Sequence, residues 1–212
     1  MKIALAALLL TLLTAPAFAA TVELDSDQAH TTATFAVKHM MVNTVRGQFG
    51  KATATLNWDK DDPSKSTVAA KVDASSIDTH NEKRDGHLKS PDFLDAAKCP
   101  EISFKSTKVE KAGDDKYKLT GDLTMHCQTH PATFEATFTS NPVKAPWGAM
   151  VYAGNATTTI KRSEWGLTWN KPLDQAGGML VSDEVKFEID AEFAPKQAAK
   201  KEAAAETAKA KK

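Results

Sequence analysis

Apolar and polar residues alternate with a period of two along most of this chain, and that pattern leaves few choices of fold. Val185, Phe187, Ile189, Ala191 and Phe193 alternate with Lys186, Glu188, Asp190 and Glu192. Tyr117, Leu119, Gly121, Leu123 and Met125 alternate with Lys116, Lys118, Thr120, Asp122 and Thr124. The same rhythm runs through residues 33–37, 68–74 and 134–138, and more weakly through 45–58, 101–110 and 149–161. Successive strand side chains point to opposite faces, so each segment reads as a strand with one buried and one wet face. Turn-forming residues at 59–66 and 111–115 separate them. One-sided strands favour antiparallel pairing, and closing the sheet removes its exposed edges. The expectation is an all-β, eight-stranded antiparallel lipocalin-like barrel.

Such a barrel either fills its interior with side chains or holds one small ligand. Small residues recur on the inner faces: Ala33, Ala52, Ala54, Ala70, Ala74, Gly121 and Ala136. They leave room that larger apolar residues would line: Phe35, Val37, Phe49, Phe104, Leu119, Leu123, Phe134, Phe138 and Phe187. This favours a hollow barrel over a tightly packed sandwich. The long segment 75–100 lacks alternation and has the length of a lid or binding loop. Within it, residues 92–97 follow Pro91 and predict a short helical segment. Leu88 and Phe93 from this segment join the expected lining.

Lys2, the apolar run 3–13 and Ala17-Phe18-Ala19 form the pattern of a Sec signal peptide over residues 1–19. The run is too short for a membrane span, which needs about 20 residues. The barrel is expected over 20–195, and an Ala/Lys-rich disordered tail over 196–212. Export to the periplasm follows. Twenty-seven basic residues balance twenty-seven acidic ones, so no basic surplus favours nucleic acid. The lysine-rich tail leaves room for transient membrane-surface contact, and a homodimer stays open.

Cys99 and Cys127 are the two cysteines, in a compartment that favours disulfides. A hairpin of 101–110 with 116–125 brings them close. Pairing by alternation puts Cys99 on the wrong face of a straight strand, and Pro100 breaks that strand and frees Cys99 to turn. A Cys99–Cys127 bond is expected.

Several motifs, in order, carry a family resemblance. They are Asp27-Gln-Ala-His30 through Phe35 to His39, Val45-Arg-Gly-Gln-Phe49, and Ser76-Ile-Asp78-Thr79 followed by Arg84-Asp85-Gly-His87-Leu88 and Asp92-Phe93. Gly121-Asp-Leu123-Thr124, Ile160-Lys-Arg162-Ser163-Glu-Trp165-Gly166-Leu167 and Val181-Ser-Asp183-Glu184-Val185 complete the series. Together they resemble the YceI-like family. The resemblance implies a lipocalin-like barrel with an apolar tunnel that binds polyisoprenoid-type lipids, isoprenoid quinones among them. Leu94 and Trp165 depart from the Phe common in members, and Cys127 from a common Gly. Trp165 is placed in the lining. His39, Arg84, Asp85 and Arg162 are candidates for contact with a head group, such as a pyrophosphate or quinone.

No nucleophile elbow, P-loop, dinucleotide fingerprint or zinc helix is present. The expected protein is therefore a non-enzymatic carrier or reservoir for a long apolar lipid, without cofactor or metal. The alternatives are a stress-response or interaction scaffold with a packed barrel, and a weak metal-binding protein. For the latter, His126, Cys127 and His130 converge on an ion only if the strand turns near Gln128. His39-Met40-Met41 has copper-binding residue types.

Overall fold

The computed structural model describes residues 21–173 and 177–196. The expected signal peptide and all but the first residue of the expected tail lie outside them. Strand β1 (Thr21–His39) is long enough to serve two partners on one side. Its second half pairs with β2 (Asn43–Phe49), and its first half with β3 (Ala52–Asp59). The ladder continues through β4 (Thr67–Asp73), β6 (Glu101–Gly113), β7 (Lys116–Met125) and β8 (Gln128–Phe138). Next come β10 (Met150–Lys161) and β11 (Val181–Pro195), which pairs back onto β1. All pairings are antiparallel, and eight strands close the barrel as expected. Two short ribbons are added: β5 (Ile77–Asp78) on β2, and β9 (Val143–Lys144) on β10.

The helix is not where the sequence placed it. Helix α1 spans Glu82–Lys89, ahead of the expected 92–97. Asn81 caps it, its side chain accepting a hydrogen bond from the Arg84 N–H at 3.0 Å. Asp95 has φ of 47°, a left-handed conformation that ends any helical run through 92–97.

Two irregularities set the inner face. The β1–β11 register shifts between Ser26 and Thr31, so Leu24 faces inward before the bulge, and Ala33 and Phe35 after it. Asp27 organises that bulge. Its carboxylate accepts from the Ala29 N–H at 2.9 Å and from His30 Nδ1 at 2.6 Å, and its carbonyl accepts from the Thr31 hydroxyl. In β6 a second shift lies between Ser106 and Lys108. There the β6 backbone leans over Gly121: a Cβ on that glycine would lie 2.2 Å from the Lys105 carbonyl oxygen. Gly121 was expected to leave cavity space, but the neighbouring backbone fills it.

At the end opposite the long loop, Trp58 packs 5.5 Å from Tyr117 and 4.9 Å from Phe138, ring centre to ring centre. Phe138 in turn contacts Phe193. This aromatic cluster fills the interior between the β3–β4 and β6–β7 turns.

Gly121→Ala should cost about 1–3 kcal/mol, because the obstacle is backbone that cannot swing aside. Gly86→Ala, where nothing lies within 4 Å, should be neutral or slightly stabilising; urea midpoints of the two variants check the contrast. His30 makes a second test. Its hydrogen bond to Asp27 and the nearby Glu192 carboxylate raise its pKa above the ordinary histidine value. The stability this supplies is therefore complete below about pH 6.5 and fades as pH rises through the elevated value. In Asp27→Asn, NMR titration should find the His30 pKa moved down.

Candidate functional site

Two cavities lie along the barrel axis. The inner one, about 150 Å³, is walled by Ala54, Ala70, Phe104, Leu119, Leu123, Phe134, Ala136 and Phe138, among others. The outer one, about 260 Å³, sits at the mouth, under the β1–β2 hairpin, α1 and the β10–β11 connection. Phe49, Met125 and Phe187 line both. These three side chains stand between the two apolar cavities. Where the packed-barrel alternative requires a filled interior, the interior holds space.

The predicted lining divides between the two compartments. Phe104, Leu119, Leu123, Phe134 and Phe138 face the inner cavity; Phe35, Val37, Leu88 and Phe93 face the mouth; Phe49 and Phe187 face both. Trp165 lines neither. It is 1% exposed, and its indole N–H donates to the Leu123 carbonyl at 3.0 Å. Its ring packs against His130, and its own carbonyl lies 3.0 Å from His126 Nδ1, which therefore carries the hydrogen. Both histidines of the proposed metal cluster are thus engaged with Trp165. No group of three or more His, Cys, Asp or Glu suited to a metal occurs among the described residues.

The motifs that meet at the mouth each have a mechanical task. Thr79 is buried, and its hydroxyl donates to Asp85 while accepting from Arg84 Nε at 2.7 Å. Arg84 Nη2 also donates to the Thr79 carbonyl at 2.8 Å. Asp85 thus ties α1 to the barrel wall and does not line the cavity, whereas Arg84 and His39 do. Arg162 begins a 3-10 turn (Arg162–Trp165) that ends at Gly166, whose φ is 75°. It is 5% exposed, donating from Nε to the Ser182 carbonyl at 3.0 Å and from Nη1 to the Leu167 carbonyl. Burial pushes its pKa below the ordinary arginine value, with Asp183 acting in the opposite sense. Ser163 clamps the same junction by donating to Asp183 from its N–H and its hydroxyl.

Sequence reasoning missed the cover of the mouth. Trp169 packs 5.2 Å from Phe93 and 4.8 Å from His87, and His87 packs 5.0 Å from Phe93. His87 is oriented by Asp92, whose carboxylate accepts from Nε2 at 2.9 Å. Trp169 lies in a stretch without alternation, so no period marked it.

Cys99 and Cys127 are bonded, with Cα atoms 5.3 Å apart. The bond joins the segment after α1 to the two-residue β7–β8 turn. Cys99 lies before β6 begins and donates its N–H to the Asp95 carbonyl, so it is free of the strand register. The turn falls at His126-Cys127, with φ of 50° and 57°, one residue before the Gln128 bend that a metal cluster needed.

The YceI-like domain model matches residues 24–193. The chain belongs to the YceI-like family. A UPF0312 protein of Pseudomonas putida is 36% identical over 151 residues, covering 71% of this chain and 78% of the relative. One of Staphylococcus aureus is 35% identical over 167 residues, covering 79% and 94%. Among solved structures, a Campylobacter jejuni YCEI protein aligns with a TM-score of 0.62 at 26% identity, over 75% of this chain and 90% of that one. Two more share the fold at lower identity. Burkholderia cenocepacia BcnA has a TM-score of 0.68 at 24% identity, over 79% and 98%. A polyisoprenoid binding domain from Saccharophagus degradans, implicated in plant cell wall breakdown, has a TM-score of 0.55 at 10%, over 83% and 99%.

Cys127 has a left-handed φ of 57°, a conformation that glycine adopts without the Cβ penalty. Replacing Cys99 and Cys127 by alanine should cost about 3–4 kcal/mol on the loop-entropy account. Cys99→Ala with Cys127→Gly should recover about 1 kcal/mol of that by relieving the left-handed residue. Equal urea midpoints for the two double variants would contradict this account of the turn.

Proposed function

We propose that this protein is an exported, periplasmic lipid carrier or reservoir that holds a polyisoprenoid or isoprenoid-quinone-type ligand inside the barrel, without catalysis. The observation that carries the reading is the pair of apolar cavities meeting at Phe49, Met125 and Phe187. A long chain seated at the mouth reaches the inner cavity once those side chains turn aside. The named polyisoprenoid-binding neighbour shares this fold and supports the ligand class. The Cys99–Cys127 bond fits an oxidising compartment, as does the signal-like start of the sequence.

Burial of the chain supplies the driving force. At about 0.8 kcal/mol per CH₂, a chain of roughly forty carbons gains about 30 kcal/mol gross. Non-covalent affinity saturates near about 18–21 kcal/mol, so chain ordering and loss of bilayer packing offset much of the gain. Length and shape are then recognised first.

Titration with isoprenoid quinones of increasing chain length tests the proposal. Affinity of the native protein should rise with length. Ala136→Phe, which fills the inner cavity, should weaken the longest ligand by about tenfold or more and leave the shortest unchanged. Equal weakening at every length would contradict the two-compartment account. Failure of the native protein to bind any of them would contradict a quinone-type ligand.

A further inference from the structure

Every ionisable side chain lining the mouth cavity is basic: His39, Arg84, His87 and Arg162, with no Asp or Glu among them. An otherwise apolar chamber with two guanidinium groups and no acid is a selective environment. Carboxylates are close by: Asp183 and Asp85 bond to groups outside the lining, Ser163 and Thr79, and Asp92 pairs with His87 of the lining itself.

Arg162 is the most constrained of the four. It is 5% exposed, and among the described residues no carboxylate lies within salt-bridge distance of it. Two of its nitrogens are taken by the Ser182 and Leu167 carbonyls. Nη2 makes no hydrogen bond among the described residues. Among those residues, no fully buried side-chain nitrogen or oxygen lacks a partner, so Nη2 retains contact with open space. Arg162 is among the residues that line the mouth cavity. Arg84 likewise spends Nε and Nη2 on Thr79 and keeps Nη1.

Backbone carbonyls satisfy part of a buried guanidinium without ion-pairing it, and Asp183 favours its charge only from beyond salt-bridge distance. The partner that answers both hydrogen bonding and charge is an oxyanion, which meets the planar fork of arginine with charge-assisted bonds. A neutral carbonyl accepts a hydrogen bond without balancing the charge. We infer that the mouth cavity binds the oxyanionic head, phosphate or carboxylate, of a long-chain amphiphile, with Arg162 Nη2 as the principal donor and Arg84 beside it. The inference rests on the lipid-binding reading and narrows it. The chain lies inward past Phe49, Met125 and Phe187, and anionic heads are preferred over quinone or alcohol heads.

Binding of ligands that share one chain tests this: geranylgeranyl phosphate, the corresponding carboxylic acid, geranylgeraniol, and a quinone with the same chain. The native protein should bind the phosphate or the carboxylate, or both, at least about tenfold more tightly than the alcohol and the quinone. Tight binding of the phosphate alone identifies a phosphate head; parity of phosphate and carboxylate identifies a general oxyanion site. Arg162→Gln should erase the preference, read as the ratio of anion to geranylgeraniol affinity measured within the variant. If that variant does not fold, Arg84→Gln, at a half-buried position, should reduce the preference in the same sense. Alcohol or quinone bound as tightly as the anions overturns the proposal and leaves lipid binding intact. No binding of any member removes both.

Discussion

The ladder between β1 and β11 joins the two ends of the folded chain: Leu24 lies opposite Pro195, Phe35 opposite Phe187, and Val37 opposite Val185. Without it the sheet has two long unpaired edges and a face open to water. With it, every barrel strand is paired on both sides, and the interior can stay apolar without being filled. The walls are held by backbone hydrogen bonds around the ring, so side chains facing inward are relieved of bridging the space. That is why small residues such as Ala54, Ala70 and Ala136 can coexist with a stable barrel. The ladder also carries the Asp27–His30 bulge, which returns the second half of β1 to the correct face. Because its contacts are so far apart in sequence, closure carries a large loop entropy and is expected late in folding.

The ring leaves the mouth to be built from irregular segments, and each is tied down by a different bond. Asp85 and Arg84 fasten α1 to Thr79. Ser163 and Arg162 fasten the β10–β11 connection to the start of β11. The disulfide fastens the segment after α1 to the β7–β8 turn, at the cost of a left-handed Cys127. The loops hold still enough to shape a cavity while the chemistry facing inward remains almost wholly apolar, interrupted by basic groups alone. The family resemblance and the cavity geometry thus meet at the same place: motifs 79–93 and 160–167 form the rim.

Alternation made the strands legible, because a period of two reports one buried face directly. Val185 to Phe193 and Tyr117 to Met125 could be assigned to strands from their pattern alone, and their inward residues followed. Gly121 misled, since pattern reports which face a residue occupies but not whether a neighbouring backbone bends over it. The helix was misplaced because Pro91 is a visible start signal, whereas the Asn81 cap works through one side-chain hydrogen bond. Trp165 and Trp169 show a second limit. Both lie in aperiodic segments, so their aromatic character was visible but not which of them covers the cavity. Asp85 and Arg84 are adjacent in sequence and were grouped together, yet only Arg84 borders the cavity.

The central claim is that the barrel interior is a lipid site and not a void left by small side chains. Native mass spectrometry of the protein purified from the cells that make it, followed by solvent extraction, measures this most directly. The account predicts a bound species released by the solvent as a long-chain isoprenoid lipid, in near one-to-one amount with the protein. A protein that emerges without lipid, and takes none up when offered isoprenoid lipids in detergent, would contradict it.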